Sequence, residues 1–310
     1  EKCYNLHGDV MKNLMESCTI CPRECKVNRS LAQVGLCGMS DKIVVARIAP
    51  HYFEEPPISG VNGSGAIFFS GCNLKCIFCQ NYNISTKNFG KEITVFELAN
   101  KMIELQNLGV HNINLVTPTH FIPQIAQAIK IAKENGLVIP IVYNTSSYEK
   151  VSSLKLLDGL IDIYLPDLKY YDDWYSIKYS KAPNYFNIAI DAIEEMYRQV
   201  GNVVYDKNGI MKKGIIVRHL MLPGRGDDSK KIIEYLHLTY RNNIFISIMN
   251  QYTPLKQVKE IDELNKKVSD EEYSKLINYA CDIGVENAFI QEGDTCSESF
   301  IPEFDLTGVK

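Results

Sequence analysis

Three cysteines in one short loop constrain this chain more than any other feature. Cys72, Cys76 and Cys79 follow the spacing C-x3-C-x2-C. The loop comes directly after the apolar run Ala66-Ile67-Phe68-Phe69, which reads as a buried strand. A closed structural metal site takes four protein ligands, whereas this loop supplies three. Three thiolates can hold three irons of a [4Fe-4S] cube and leave the fourth open to a small molecule. The alternatives are three buried structural cysteines, or a zinc knuckle completed by a distant histidine.

The 310 residues, 45% hydrophobic and 23% charged, suit one large globular domain or two small ones. A net charge of −4 leaves no electrostatic footprint for nucleic acid. The longest uncharged run, Leu105 to Ile129, is broken by Gly109, Pro118 and Pro123, so no membrane span is expected. Ten cysteines without a visible signal peptide point to metal binding in a reducing cytoplasmic compartment, not to disulfides.

A second set of cysteines lies upstream. Cys18, Cys21, Cys25 and Cys37 are spaced C-x2-C-x3-C-x11-C, a pattern that can close a zinc or iron site or hold a complete [4Fe-4S] cluster. A metal there would staple a segment too small to build its own core. Cys3 and Cys296 read as incidental, and Cys281 as core.

From Ala66 onward strand and helix signals alternate, which predicts a parallel α/β fold. Strand candidates are residues 113–117, 138–143, 161–165, 215–222, 244–249 and 288–291. Thr94 and Ser269 each open a capping box before a helical stripe, and Tyr185 to Val200 is apolar at helical spacing. The expected division is a cysteine-rich segment at 1–62, a catalytic barrel at 63–295 and a tail at 296–310. The polar strand ends place the site at the C-terminal face of the sheet.

The cysteine loop, with Phe78 before its last cysteine, resembles the cluster loop of the radical S-adenosylmethionine (SAM) enzymes. The stretch from Gly63 to Asn81 resembles the branch of pyruvate formate-lyase activating enzyme and its PflX-like iron–sulfur relatives. The resemblance spans about residues 60–255. It implies a partial (β/α)6 barrel, a [4Fe-4S] cluster on Cys72, Cys76 and Cys79, and SAM cleavage to a 5′-deoxyadenosyl radical. It also implies an external one-electron donor of the flavodoxin or ferredoxin type and, in this branch, a glycyl-radical protein as substrate. Modification of a small molecule or another peptide is the alternative, and a non-catalytic iron–sulfur or zinc scaffold is a third reading.

The resemblance also marks site residues. Asp167-Leu168-Lys169 matches the family triplet beside SAM, and alternation along an extended segment puts Asp167 and Lys169 on one side. Lys169 is therefore a candidate catalytic residue, the other reading being an exposed ion pair. Thr119 and His120 stand near the family's Gly-Gly-Glu stretch, and Asn144 near its ribose contact, the other reading of that segment being a helix N-cap on Thr145, Ser146 or Ser147. Arg218 is expected to pair with a carboxylate, either of SAM or internal. Gln251 lies in the segment where the family carries Leu-Pro-Tyr-His, and Thr253 replaces the histidine.

Overall fold

The computed structural model describes residues 13–291 and 301–309. Cys3 and Cys296 lie outside the described residues. Among the described residues ten strands form one sheet: β1 (Ile43–His51), β2 (Ser64–Phe69), β3 (Lys91–Ile93), β4 (Ile113–Val116), β5 (Ile141–Thr145), β6 (Ile163–Pro166), β7 (Val204–Tyr205), β8 (Met211–Leu220), β9 (Phe245–Met249) and β10 (Ala288–Ile290). Their order is β10-β9-β8-β6-β5-β4-β2-β1-β3, with β7 on β8. From β2 through β10 the main-path pairs are parallel, and β1 and β3 close one edge antiparallel.

Parallel strands need helical crossovers, and these cover the outer face. Leu98, Ala99, Met102 and Leu105 of the helix Val95–Asn107 are buried, as are Ala189, Ala192, Ile193 and Met196 of the helix Tyr185–Val200. Both capping boxes form, at Thr94 with Glu97 and at Ser269 with Glu272. The inner face carries its own apolar cluster of Val142, Ile163, Leu165, Ile216 and Met211, packed around Ile58 from the short helix Pro56–Ser59. Ile58 plugs the interior at the N-terminal strand ends. Because both faces are buried, the strands read as continuous apolar runs.

β1 pairs with β2 from Val45–Phe69 to His51–Ser64, so the sheet continues on both sides of residue 62. Two expectations change. The strand expected from Val138 begins at Ile141 instead: Pro140 lacks the N–H a ladder needs, and Val138 is 84% exposed. Cys281, read as core, is exposed. The final segment also joins the fold, as Ile48 N–H donates to the Thr307 carbonyl at 2.9 Å. Among the described residues no helix is long and apolar enough to cross a membrane.

Glu149, just past β5, is a buried carboxyl beneath the sheet. Its Oε1 accepts from Thr119 Oγ1 and Thr145 Oγ1, both at 2.6 Å, and from Tyr143 OH at 3.1 Å, while Oε2 is buried without a partner. Burial outweighs these donors and pushes its pKa up to about 7. A raised folded-state pKa gives stability that is complete below the ordinary carboxyl value and is lost as pH rises through about 7. Glu149→Gln should therefore flatten the dependence of Tm on pH and stabilise the fold at pH 8 by up to roughly 3 kcal/mol. Parallel melting curves for the two proteins from pH 5 to pH 8 would contradict this.

Candidate active site

Side chains from β2, β4, β5, β8, β9 and β10, with Asp167 and Lys169 just past β6, line one cavity of ≈370 Å³, within the usual range for small-molecule sites. Seven strands laid flat would span about 29 Å, so convergence on one cavity requires the sheet to curl into a partial barrel. The cavity opens at the C-terminal strand ends, as expected.

Cys72, Cys76 and Cys79 all line it. The loop leaves β2 through Gly71 at φ 83°, where an added Cβ would stand 2.5 Å from Met39 Cγ and 2.8 Å from the Cys37 carbonyl oxygen. Backbone bonds then pin it to the segment after β6: Lys75 N–H donates to Ser180 O at 3.1 Å and Ile77 N–H to Tyr179 O at 2.9 Å. Each sulfur has a donor, namely Leu74 N–H for Cys72 at 3.4 Å, Ser180 Oγ for Cys76 at 2.9 Å and Ser85 Oγ for Cys79 at 3.3 Å. Donors of this kind orient metal-bound thiolates. Burial, then repulsion from the neighbouring thiols, pushes Cys72 up to about 12. Burial likewise pushes Cys76 up to about 11, against the lowering charge of Lys169.

Asp167 and Lys169 both face the cavity, with Nζ donating to Oδ2 at 2.6 Å. Their side chains are 22% and 17% exposed, so the pair is not the exposed one considered above. Burial opposes the lysine charge, but Asp167 and the Cys76 thiol outweigh it and hold the ammonium above the ordinary lysine value. Tyr185 OH donates to the Asp167 carbonyl at 3.0 Å and receives the Lys169 N–H at 3.1 Å, fixing both residues. Asn144 and Gln251 also line the cavity. Gln251 is held by Gln291, whose Nε2 donates to its Oε1 at 3.0 Å. Phe78 closes one wall edge-on against Tyr252, with ring centroids 5.9 Å apart.

Thr119 and His120 do not reach the cavity, which corrects the expectation placed on them. Thr119 turns its hydroxyl to Glu149, and His120 Nε2 bonds the Ser70 carbonyl at 2.7 Å. Burial, then the nearby Arg29 charge, lowers His120 to about 3, so its ring stays neutral. Thr117 stands in the cavity instead, at φ 58°, a conformation that costs a β-branched residue roughly 1–3 kcal/mol and recurs at functional sites.

Arg218 finds internal carboxylates. Its Nε donates to Glu55 Oε1 at 2.9 Å and its Nη2 to Glu54, while Asn114 Nδ2 donates to Glu54 at 2.8 Å. Burial pushes the Glu55 carboxyl up, but Arg218 more than offsets this and holds it below the usual range. Sequence reasoning missed Glu54 and Glu55, taking them for the end of the first segment. Two adjacent acids before Pro56-Pro57 were the available signal.

Among the described residues no group of three or more Cys, His, Asp or Glu side chains converges closely enough to hold one metal ion. Cys18, Cys21 and Cys37 are buried and Cys25 is half-buried.

The family model described as the radical SAM superfamily matches residues 66–236. An uncharacterised protein of Methanocaldococcus jannaschii is 29% identical over 287 residues, covering 89% of this chain and 78% of that protein. Pyruvate formate-lyase-activating enzyme of Staphylococcus epidermidis is 26% identical over 200 residues, covering 59% of this chain and 73% of that one. The crystal structure of Streptococcus suis SuiB bound to its precursor peptide SuiA superposes with a TM-score of 0.51 at 13% identity. That match covers 71% of this chain and 46% of SuiB, and shows a shared fold.

Replacing Arg218 with alanine would leave two buried carboxylates without their cation. The expected loss is about 3–5 kcal/mol in chemical denaturation. A loss below about 1 kcal/mol would mean that the pair is solvated.

Proposed function

This chain belongs to the radical SAM superfamily, and from that premise we propose that it cleaves SAM reductively at a [4Fe-4S] cluster on Cys72, Cys76 and Cys79. The observation that carries this reading is the meeting of three thiols, an Asp–Lys pair and two amides in one cavity. When bound, the reduced cluster supplies the electron that splits SAM into methionine and a 5′-deoxyadenosyl radical, which abstracts hydrogen.

The protein's part is position, charge and dryness. Lys169 presents a fixed positive charge beside Cys76, suited to the carboxylate of a bound amino acid, and Asp167 orients it. Asn144 offers a donor and an acceptor to ribose hydroxyls, and Gln251 a second amide. Phe78 and Tyr252 shield the cluster side from water. Glu54 and Glu55 both bond Arg218 at the floor, so its guanidinium is engaged there and does not compete with Lys169 for the ligand carboxylate.

For the substrate, the activating-enzyme relative supports hydrogen abstraction from a glycine of a partner protein. Modification of a small molecule or peptide is the second reading, since nothing in the cavity itself selects a glycine loop. A low-potential flavodoxin or ferredoxin would supply the electron.

Anaerobic iron–sulfur reconstitution followed by electron paramagnetic resonance (EPR), with and without SAM, tests the reading. The reduced signal should change on adding SAM, deoxyadenosine should form, and both should vanish in Cys76→Ala. Lys169→Met should weaken SAM binding by about tenfold or more while leaving cluster content intact. A loaded, reducible cluster indifferent to SAM would leave a scaffold role in its place.

A further inference from the structure

The N-terminal cysteines sit on chain with almost no framework of its own. Between residues 17 and 42 the regular structure is one turn, Arg29–Leu31, and the local apolar cluster is Met15, Cys18 and Ile20 with Leu14 and Val27. Yet Cys18, Cys21 and Cys37 are each only 8% exposed. The segment folds back on itself: Lys26 N–H donates to the Cys18 carbonyl at 2.9 Å and Glu24 N–H to the Cys21 carbonyl at 3.1 Å.

Space is kept beside one of them. A Cβ on Gly35 would stand 2.6 Å from Cys25 Sγ, and the next residue, Leu36, aims its N–H at the same sulfur from 3.5 Å. This is the cradle of a metal-bound thiolate. Among the described residues no three of these donors form a group that could hold a single metal ion.

The segment also touches the SAM-cluster loop twice. Cys37 lays its carbonyl against Gly71, the residue before Cys72. Arg23, between Cys21 and Cys25, donates its Nε–H at 2.8 Å to the carbonyl of Asn73, which follows Cys72. Arg23 stacks 5.0 Å over Tyr148, whose carbonyl takes the Asn73 side-chain N–H at 2.6 Å. Arg23 Nη2 and Asn73 Oδ1 are buried there without partners. A purely structural staple does not need to be joined to the catalytic loop on two sides.

We propose that Cys18, Cys21, Cys25 and Cys37 hold a second [4Fe-4S] cluster, and that one electron passes from it across the Cys37–Gly71 and Arg23–Asn73 contacts to the cluster on Cys72, Cys76 and Cys79. This rests on the SAM-cleaving reading above. A low-potential one-electron protein reductant takes the N-terminal cluster from 2+ to 1+. The transfer returns it to 2+ and takes the SAM cluster from 2+ to 1+. No bond is made or broken in the transfer. Cys25, the half-buried member of the four, gives the reductant an edge to approach.

The test uses the full chain reconstituted anaerobically with iron, sulfide and equimolar zinc. Wild type should carry about eight irons and eight sulfides, and the Cys72→Ala/Cys76→Ala/Cys79→Ala variant about four, with an EPR signal blind to SAM. Cys21→Ser should keep the SAM-responsive signal and make deoxyadenosine with dithionite within about twofold of wild type, but about tenfold more slowly with reduced flavodoxin. Wild type holding about four irons and one zinc overturns the second cluster, whatever the variants do. Equal slowing of Cys21→Ser with both reductants overturns the relay. If Cys21→Ser does not fold, rapid-freeze EPR of wild type mixed with flavodoxin decides, because the N-terminal signal must appear first. A wild-type signal indifferent to SAM would count against the SAM-cleaving reading, while the metal counts judge the second cluster separately.

Discussion

Arg218 stands in the barrel interior, and its charge has to be matched there because an isolated buried guanidinium costs several kcal/mol. Glu54 and Glu55 match it from the segment that carries the Ile58 plug, and Asn114 reaches Glu54 from β4. The ion cluster thus ties β8, β4 and the plug into one arrangement. The cavity above it has a polar floor in which both carboxylates bond the one guanidinium. Moving any of these elements would separate charges in a medium that punishes separation.

The cysteine loop inherits its rigidity from that frame and from the segment on its other side. Serines from two separate stretches, Ser85 and Ser180, donate to two of its sulfurs, and two backbone bonds lash it to residues 179 and 180. Gly71 lets the chain turn against Cys37 and Met39 where a side chain would not fit. A cluster site whose supporting donors are themselves buried holds its geometry through a redox cycle, when a loose one would shift.

Local periodicity and spacing carried much of the fold. The stripes after Thr94 and Ser269 and from Tyr185 to Val200 became helices, because capping and a 3.6-residue apolar face are written in neighbouring residues. The edge strand β1 was not read, as it lay among cysteines and carried Arg47 and Pro50. At the site, the three cysteines, Asp167 and Lys169 were legible by spacing. Thr119 and His120 were misplaced because the chain enters a tight turn after Thr117 that sends their side chains back under the sheet.

The sequence alone therefore determined the local chemistry: three thiols on one loop, four more upstream, an acid and a base sharing a side, and a parallel α/β pattern. Only the tertiary structure decided which groups meet. It turned Arg218 to Glu54 and Glu55 rather than to a ligand, replaced Thr119 with Thr117 at the cavity, and set Cys37 against Gly71. Spacing fixes neighbours within a turn or a strand. Contacts between residues more than a hundred positions apart, such as Glu55 and Arg218, depend on how the sheet curls and which buried charges must find partners.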